Sequence, residues 1–154
     1  MAYIKYKEIT KYFNFSRVLD KTKLPWYVYD YIFEEETILA AYKTTTDHGV
    51  FTTHKIVLYD NYSLFRKNKH IYTIPYKTIS TASIFFSPGH AEIDLYLDSG
   101  YPVRLKFVDV VSLDKQRLRL LYTVIVKNIT NQKVTNAEIE RLVKDEIEIP
   151  EGGK

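Results

Sequence analysis

A chain of 154 residues with 45% hydrophobic content is long enough for one domain with a real core, which excludes global disorder. It contains no cysteine, so disulfide scaffolds, thiolate zinc sites and thiol nucleophiles are excluded together, and a reducing compartment suits it. The net charge of +3, with acids and bases interspersed, is far milder than the charge concentration of most nucleic-acid binders.

The 14 tyrosines and 8 phenylalanines stand against a single tryptophan, a balance that suits half-buried strand faces where a ring packs and a hydroxyl stays wet. The opening Met1-Ala2-Tyr3-Ile4-Lys5 lacks the apolar run of a secretory signal, and no window approaches eighteen apolar residues. A cytoplasmic protein without integral membrane association is expected.

In chain order, residues 1–15 mix Tyr, Lys and Phe without a period. Residues 16–36 read as helical, with Ser16 as a possible N-cap and Pro25 opening a short second helix. Val28, Tyr29, Ile32 and Phe33 form its apolar stripe. From Thr37 the period becomes two. Strands are expected over 38–43, 50–59, 70–74 and 76–86, with Pro75 at a strand start or on an edge. Asp60-Asn61-Tyr62-Ser63 is turn chemistry, and Arg66-Lys67-Asn68-Lys69 is a charged tip.

The clearest hairpin follows. Ala91, Ile93, Leu95 and Leu97 alternate with Glu92, Asp94, Tyr96 and Asp98, while Val103, Leu105 and Phe107 alternate with Arg104 and Lys106. Facing residues must share a side of the sheet, so the loop has an odd number of residues. A three-residue loop Ser99-Gly100-Tyr101 meets that condition and predicts Asp94 opposite Lys106 and Tyr96 opposite Arg104. Beyond it, Ser112 can cap a helix with Leu113, Leu120, Leu121, Val124 and Ile125 facing the core and Arg117 outside. Thr135-Asn136-Ala137-Glu138 is a capping-box pattern for a last helix with the stripe Ile139, Leu142, Val143 and Ile147. The tail 151–154 is expected to be loose.

Six antiparallel strands followed by an amphipathic helix suggest a barrel plugged at its open end. Three segments then carry a family resemblance: Glu36-Thr37-Ile38-Leu39-Ala40-Ala41-Tyr42-Lys43, Gly49-Val50-Phe51-Thr52-Thr53-His54-Lys55-Ile56-Val57-Leu58 and Ile74-Pro75-Tyr76-Lys77-Thr78-Ile79. In that order they resemble the bacterial pleckstrin-homology (PH)-like domains: an acid before the first strand, then Phe-Thr-x-x-Arg/Lys-aliphatic, then Ile-Pro-Tyr-x-x-Ile. The resemblance spans about residues 34–128. It implies a mainly β fold with α, a PH-like antiparallel β-barrel or two-sheet roll closed by a C-terminal amphipathic helix. The domain is expected over 36–128, with a partly helical N-terminal extension at 1–35 and a helical C-terminal extension and tail at 129–154. The Tyr- and Lys-rich style also resembles small phage or prophage accessory proteins.

The resemblance implies a non-catalytic scaffold that binds a protein partner or itself. Phosphoinositide binding does not carry over, because the first loop, Thr44-Thr45-Thr46-Asp47-His48-Gly49, has only Lys43 and Lys55 near its ends. No cofactor, metal or catalytic residue is expected. His48 and His90 read as loop residues and His54 and His70 as strand residues, without ligand spacing. Glu34-Glu35-Glu36 reads as a solvated run, and G-x-S-x-G, G-x-x-x-x-G-K and G-x-G-x-x-G do not occur. The candidate partner-binding residues are Tyr62, Phe65, Arg66, Lys67, Lys69 and His70 at the basic tip, with Trp26 and Tyr27 in the N-terminal segment. The tip mixes rings and cations in a way that also suits nucleic acid or an anionic surface, a reading ranked behind a protein partner.

Overall fold

The computed structural model describes residues 11–44, 47–61 and 69–144. Its strands are β1 (Lys11–Leu19), β2 (Ile38–Thr44), β3 (His48–Thr52), β4 (Lys55–Asn61), β5 (Lys69–Pro75), β6 (Ile79–Ser87), β7 (His90–Leu97) and β8 (Pro102–Val108). The helices are α1 (Trp26–Tyr29), α2 (Ser112–Ile129) and α3 (Asn136–Val143). All strands join one eight-stranded sheet in the order β5-β4-β3-β2-β1-β8-β7-β6.

That sheet is open, which corrects the expected closed barrel: the end strands β5 and β6 do not pair. The chain leaves β5 through Pro75, which has no N–H to donate, and a 3-10 turn over Tyr76–Thr78. β6 therefore starts a second half of the sheet instead of folding back on β5. Pro75 does sit on an edge strand, as its chemistry requires.

The N-terminal segment differs most from expectation. Residues 11–19 form a strand, and the only helix between them and β2 is the single turn α1. β1 lies between β2 and β8, antiparallel to the first and parallel to the second. The alternation Phe13, Phe15 with Asn14, Ser16 is a strand period, and Phe15 stacks on Phe107 at 4.7 Å in the core.

The expected single strand over 50–59 is a hairpin. Thr52 builds its turn: its hydroxyl accepts from His54 N–H (3.1 Å) and Lys55 N–H (3.0 Å). Phe51 then faces Ile56 and Val50 faces Val57. A Thr-His turn has no Gly or Asn to mark it, so β-branched residues run through it unbroken. Likewise 76–86 divides into the 3-10 turn and β6.

In the β7–β8 hairpin the parity is as expected, with Ile93 opposite Leu105 and Leu95 opposite Val103. The loop, however, is Asp98-Ser99-Gly100, closed by Leu97 N–H on Tyr101 O at 3.0 Å. Asp94 consequently faces Arg104, Glu92 faces Lys106 and Tyr96 faces Pro102. A three-residue loop needs its left-handed residue last, and Gly100, at φ +92°, takes that place.

Two cores result. The larger lies between the sheet and α2, with Phe15, Tyr42, Phe51, Leu58, Ile93, Leu105 and Phe107 against Leu118, Leu121, Val124 and Ile125 of α2. The smaller, on the other face of β2–β4, joins Ala41, Val50, Val57 and Tyr59 to Leu24 and Val28. β2 and β3 are thus covered on both faces, which explains their unalternating runs Leu39-Ala40-Ala41-Tyr42 and Gly49-Val50-Phe51.

In α2, Leu113 and Leu120 are only half-buried, while Leu118 and Arg117 are buried, the latter at 4% exposure. Arg117, expected outside, is held by Asp114 one turn earlier at 2.5 Å, so its charge is not buried alone. α3 begins with the expected capping box: Thr135 Oγ1 accepts Glu138 N–H, and Glu138 accepts Thr135 N–H. Leu142 is its buried residue; Ile147 and the tail 151–154 lie outside the described residues.

Candidate binding surfaces

The segment between β1 and β2 is pinned to the sheet by a few residues and displays the others. Val28 is fully buried, and its carbonyl accepts the Tyr59 hydroxyl at 2.8 Å. Burial, first, and then the neighbouring hydroxyls Tyr31 and Tyr27 push the Tyr59 phenol far above its ordinary range. Tyr27 is half-buried, its ring edge-on to Tyr59 and its hydroxyl 2.5 Å from Asp47 Oδ1. Asp47 also pairs with His48, which opens β3 instead of lying in a loop. Trp26, by contrast, is 77% exposed and Phe33 63%, with Tyr29 and Tyr31 also exposed.

At the end of this segment the sheet corner carries a buried ion pair. Glu36 Oε2 lies 3.0 Å from Lys55 Nζ, the side chains being 5% and 8% exposed. The carboxylate also accepts Phe33 N–H at 2.9 Å and the Thr52 hydroxyl at 3.2 Å. The Phe33 ring covers the ammonium, 3.8 Å from its centroid. Tyr76 completes the corner, its hydroxyl on Thr52 O at 2.7 Å and its N–H on His54 O at 3.0 Å. Burial drives the Tyr76 phenol far above its ordinary range. For Glu36, burial opposes the charge, yet the Phe33 N–H and then Lys55 outweigh it and hold the carboxyl below its ordinary value. The acid, Phe-Thr-x-x-Lys and Pro-Tyr pieces of the sequence are thus one corner, and Glu36 is not part of a solvated run.

Two connected depressions adjoin that corner. One, of about 280 Å³, has Phe33 and Pro75 on its rim and Lys55 in its wall. The other, of about 720 Å³, lies between the start of β6 and the end of α2. Lys77 and Asn128 line both. No periodicity in the sequence marks this groove, because its walls come from three separate elements.

The basic tip is described only in part: Tyr62, Phe65, Arg66 and Lys67 lie outside the described residues. Lys69 opens β5, and the exposed His70 stacks on Tyr72 with centroids 4.1 Å apart and planes 27° off parallel. The tip residues and Trp26–Tyr27 belong to different loops. His54 lies in the β3–β4 turn and His90 opens β7, so both differ from their expected places. Among the described residues no three His, Asp or Glu side chains come together to hold a metal ion. On the hairpin's wet face Arg104 reaches Asp94 at 3.4 Å and Glu92 at 4.0 Å, a cross-strand arrangement that stabilises the sheet.

Two sheet halves at a corner, with a C-terminal helix packed over the opening between β5 and β6, define the PH-like class of scaffolds. The chain belongs to the bacterial PH domain family, which it matches over residues 8–129. In fold it is similar to a DUF1696 family protein with a pleckstrin-homology domain from Shewanella loihica PV-4 (17% identity, 73% of this chain and 95% of that one, TM-score 0.58). A pleckstrin homology domain from Shewanella amazonensis SB2B matches at 22% identity, 69% and 86% coverage and TM-score 0.50. A PH domain containing protein from Exiguobacterium sibiricum 255-15 matches at 19% identity, 78% and 63% coverage and TM-score 0.54. At such identities these likenesses speak for the fold alone. No curated protein matches the chain. All three structures are bacterial, and the phage-like style of the composition finds no support among them. Among the described residues no helix is long and apolar enough to cross a membrane.

Proposed function

We propose that this chain is a non-catalytic PH-like module of the cytoplasm that binds protein, either a second copy of itself or a separate bacterial or host protein. The observation that carries the reading is Trp26, 77% exposed on a segment whose neighbours Tyr27 and Val28 are fixed to the sheet. An aromatic anchor already held in place loses little freedom on binding, and tryptophan is over-represented among residues that dominate interface energies. Membership of a family of binding scaffolds supports the same reading. The test compares the full chain with Trp26→Ala by light scattering over a concentration series and by cross-linked capture from a bacterial lysate. A mass above the monomer, or a captured protein, that the substitution abolishes is expected. A monomer at every concentration that captures nothing, or capture unchanged by the substitution, overturns it.

A second reading is an anionic-surface or nucleic-acid binder acting through Arg66, Lys67, Lys69 and His70, favoured by the ring stack of His70 on Tyr72. It requires affinity for an oligonucleotide that falls steeply with salt, and salt-independent binding refutes it.

A further inference from the structure

We propose that α3 is an exchangeable helix: the segment between α2 and α3 straightens, and α3 of one copy fills the slot between β2 and α2 of a second copy, which returns its own. The inference rests on the protein-binding reading above and develops its second-copy branch.

α3 packs on β2 and on α2. It lies beyond residues 8–129, the span that matches the family, yet its Leu142 belongs to the same buried cluster as Leu121 and Ile125 of α2. The docking is sparse. Leu142 is the one buried side chain of α3, and Ile139 is half-buried. Two polar contacts hold the helix: Lys127 Nζ donates to Glu138 Oε1 at 2.5 Å, and Lys21 Nζ donates to Leu142 O at 3.3 Å. An element with so few buried contacts belongs to the low-stability end of a fold and opens before the sheet does. A second copy offers the same slot with the same contacts, so exchange forfeits none of them.

The bend between the helices depends on one residue. Asn131 takes the left-handed conformation at φ +58°, which lets Asn131 N–H donate to Asn128 O at 3.3 Å and Gln132 N–H to Lys127 O at 2.7 Å. This is the Schellman end of a helix with two of its usual supports missing. Asparagine stands where glycine is the common choice, and the two residues that would make its apolar contact, Lys127 and Gln132, are polar. With Asn131 right-handed, α2 runs on, because residues 130–135 contain neither proline nor glycine. The result is one helix from Ser112 to Val143, roughly 48 Å long by the rise of an α-helix. The capping box at Thr135 favours the bend, so the two forms trade one cap and two turn bonds against a run of helical main-chain bonds.

The apolar spacing survives straightening. Leu118 and Ile139 are three heptads apart, as are Leu121 and Leu142. On one straight helix such spacings leave the two buried faces within about 60° of each other. α3 would then project past its own copy with its apolar face on the side that α2 already buries. That face and the vacated slot are both exposed to water in a single open copy, and a second open copy covers both. Lys127 and Glu138 would stand roughly 16 Å apart along a straight helix, so their ion pair re-forms only between copies. Reciprocal exchange is two-fold and closes on itself, which stops the assembly at a dimer.

The chain has no cysteine, so Lys127→Cys/Glu138→Cys joined by a short bis-maleimide reports which copy supplies α3. Light scattering on the unsubstituted chain measures the mass. A dimer with links between chains is expected at high concentration, and links within chains on dilution. Asn131→Ala disfavours the left-handed bend and favours helix, whereas Asn131→Gly does the reverse; the first should tighten the dimer and the second loosen it, with dissociation constants at least about tenfold apart. Thr135→Ala removes the cap of the bent form and should also tighten it. The sheet signal in circular dichroism should be the same in every variant. Links confined to single chains at every concentration, or equal affinities in the Ala and Gly variants, overturn the exchange. The underlying reading fails separately. A dimer that Trp26→Ala abolishes but that links only within chains keeps protein binding and removes the exchange. An exchanged dimer indifferent to Trp26→Ala keeps the exchange and removes Trp26 as the anchor.

Discussion

Replacing Lys55 with Met should be among the most damaging single changes, because it leaves the Glu36 carboxylate buried without its counter-charge. The pair is 3.0 Å apart and almost fully enclosed. Removing one partner of such a pair costs about 3–5 kcal/mol. Glu36 keeps the Phe33 N–H and the Thr52 hydroxyl, so the lower end, about 3 kcal/mol, is expected. For a domain of this size that is a fall in Tm of about 6–12 °C. In Glu36→Gln/Lys55→Met no charge is stranded, and the loss should shrink to about 1 kcal/mol, a strong departure from additivity.

Acid provides an independent check on the same pair. The folded-state value of Glu36 lies below its ordinary 4.5. Its stabilisation is therefore complete above the unfolded-state value and is lost as pH falls through the folded-state value. The stability gap between wild type and Glu36→Gln should narrow below about pH 4.5. Urea denaturation followed by circular dichroism at pH 7 and pH 4 measures both effects. If the double variant loses as much as the two single variants together, or the gap ignores acid, the pair is not the electrostatic unit described here.

Three further outcomes follow from the packing. A Cβ at Gly49 would run into the Phe15 ring and lie 3.3 Å from Leu58 Cδ2, so Gly49→Ala should cost about 1–3 kcal/mol by urea titration. A neutral result would mean the ring has room to move. The Tyr59 and Tyr76 phenols, raised first by burial, contribute stability that is full below the unfolded value of 10 and is lost as pH climbs toward their folded values. In an ultraviolet titration both should ionise only with alkaline unfolding, so the number of late-ionising phenols should fall by one in Tyr76→Phe. Thr135→Ala removes the acceptor of Glu138 N–H and should cost about 1 kcal/mol, read as faster amide exchange at the start of α3; unchanged exchange would refute the cap.

Local chemistry was legible in the sequence where it acts within a few residues. The capping box at Thr135 and Glu138, the edge position of Pro75 and the odd loop of the β7–β8 hairpin all follow from neighbouring side chains. The phase of that loop was missed by one residue because parity fixes only oddness, whereas the place of the left-handed glycine fixes the register. The turn at Thr53-His54 was hidden because a threonine hydroxyl builds it in place of glycine or asparagine. Glu36 was misread because its partner lies nineteen positions onward across a hairpin, although both belong to segments that carried the family resemblance. Within 11–19 no period was read as far as residue 15 and a helix from residue 16, because the strand period is short and its pairing partners, 41–44 and 103–107, are remote. The groove beside α2 draws on three elements and left no local trace at all.

The parallel seating of β1 against β8 has a consequence for how the chain emerges from the ribosome. Lys11 meets Val103, so the earliest of the described strands waits for the last of them, about ninety residues later. Until that strand arrives, the Phe13–Phe15 flank is a sticky, half-zipped border in the middle of the future sheet. Nascent chains stalled before residue 103 should therefore be the ones that chaperones hold and proteases cut, while release past residue 108 should let the two halves lock in a single late step.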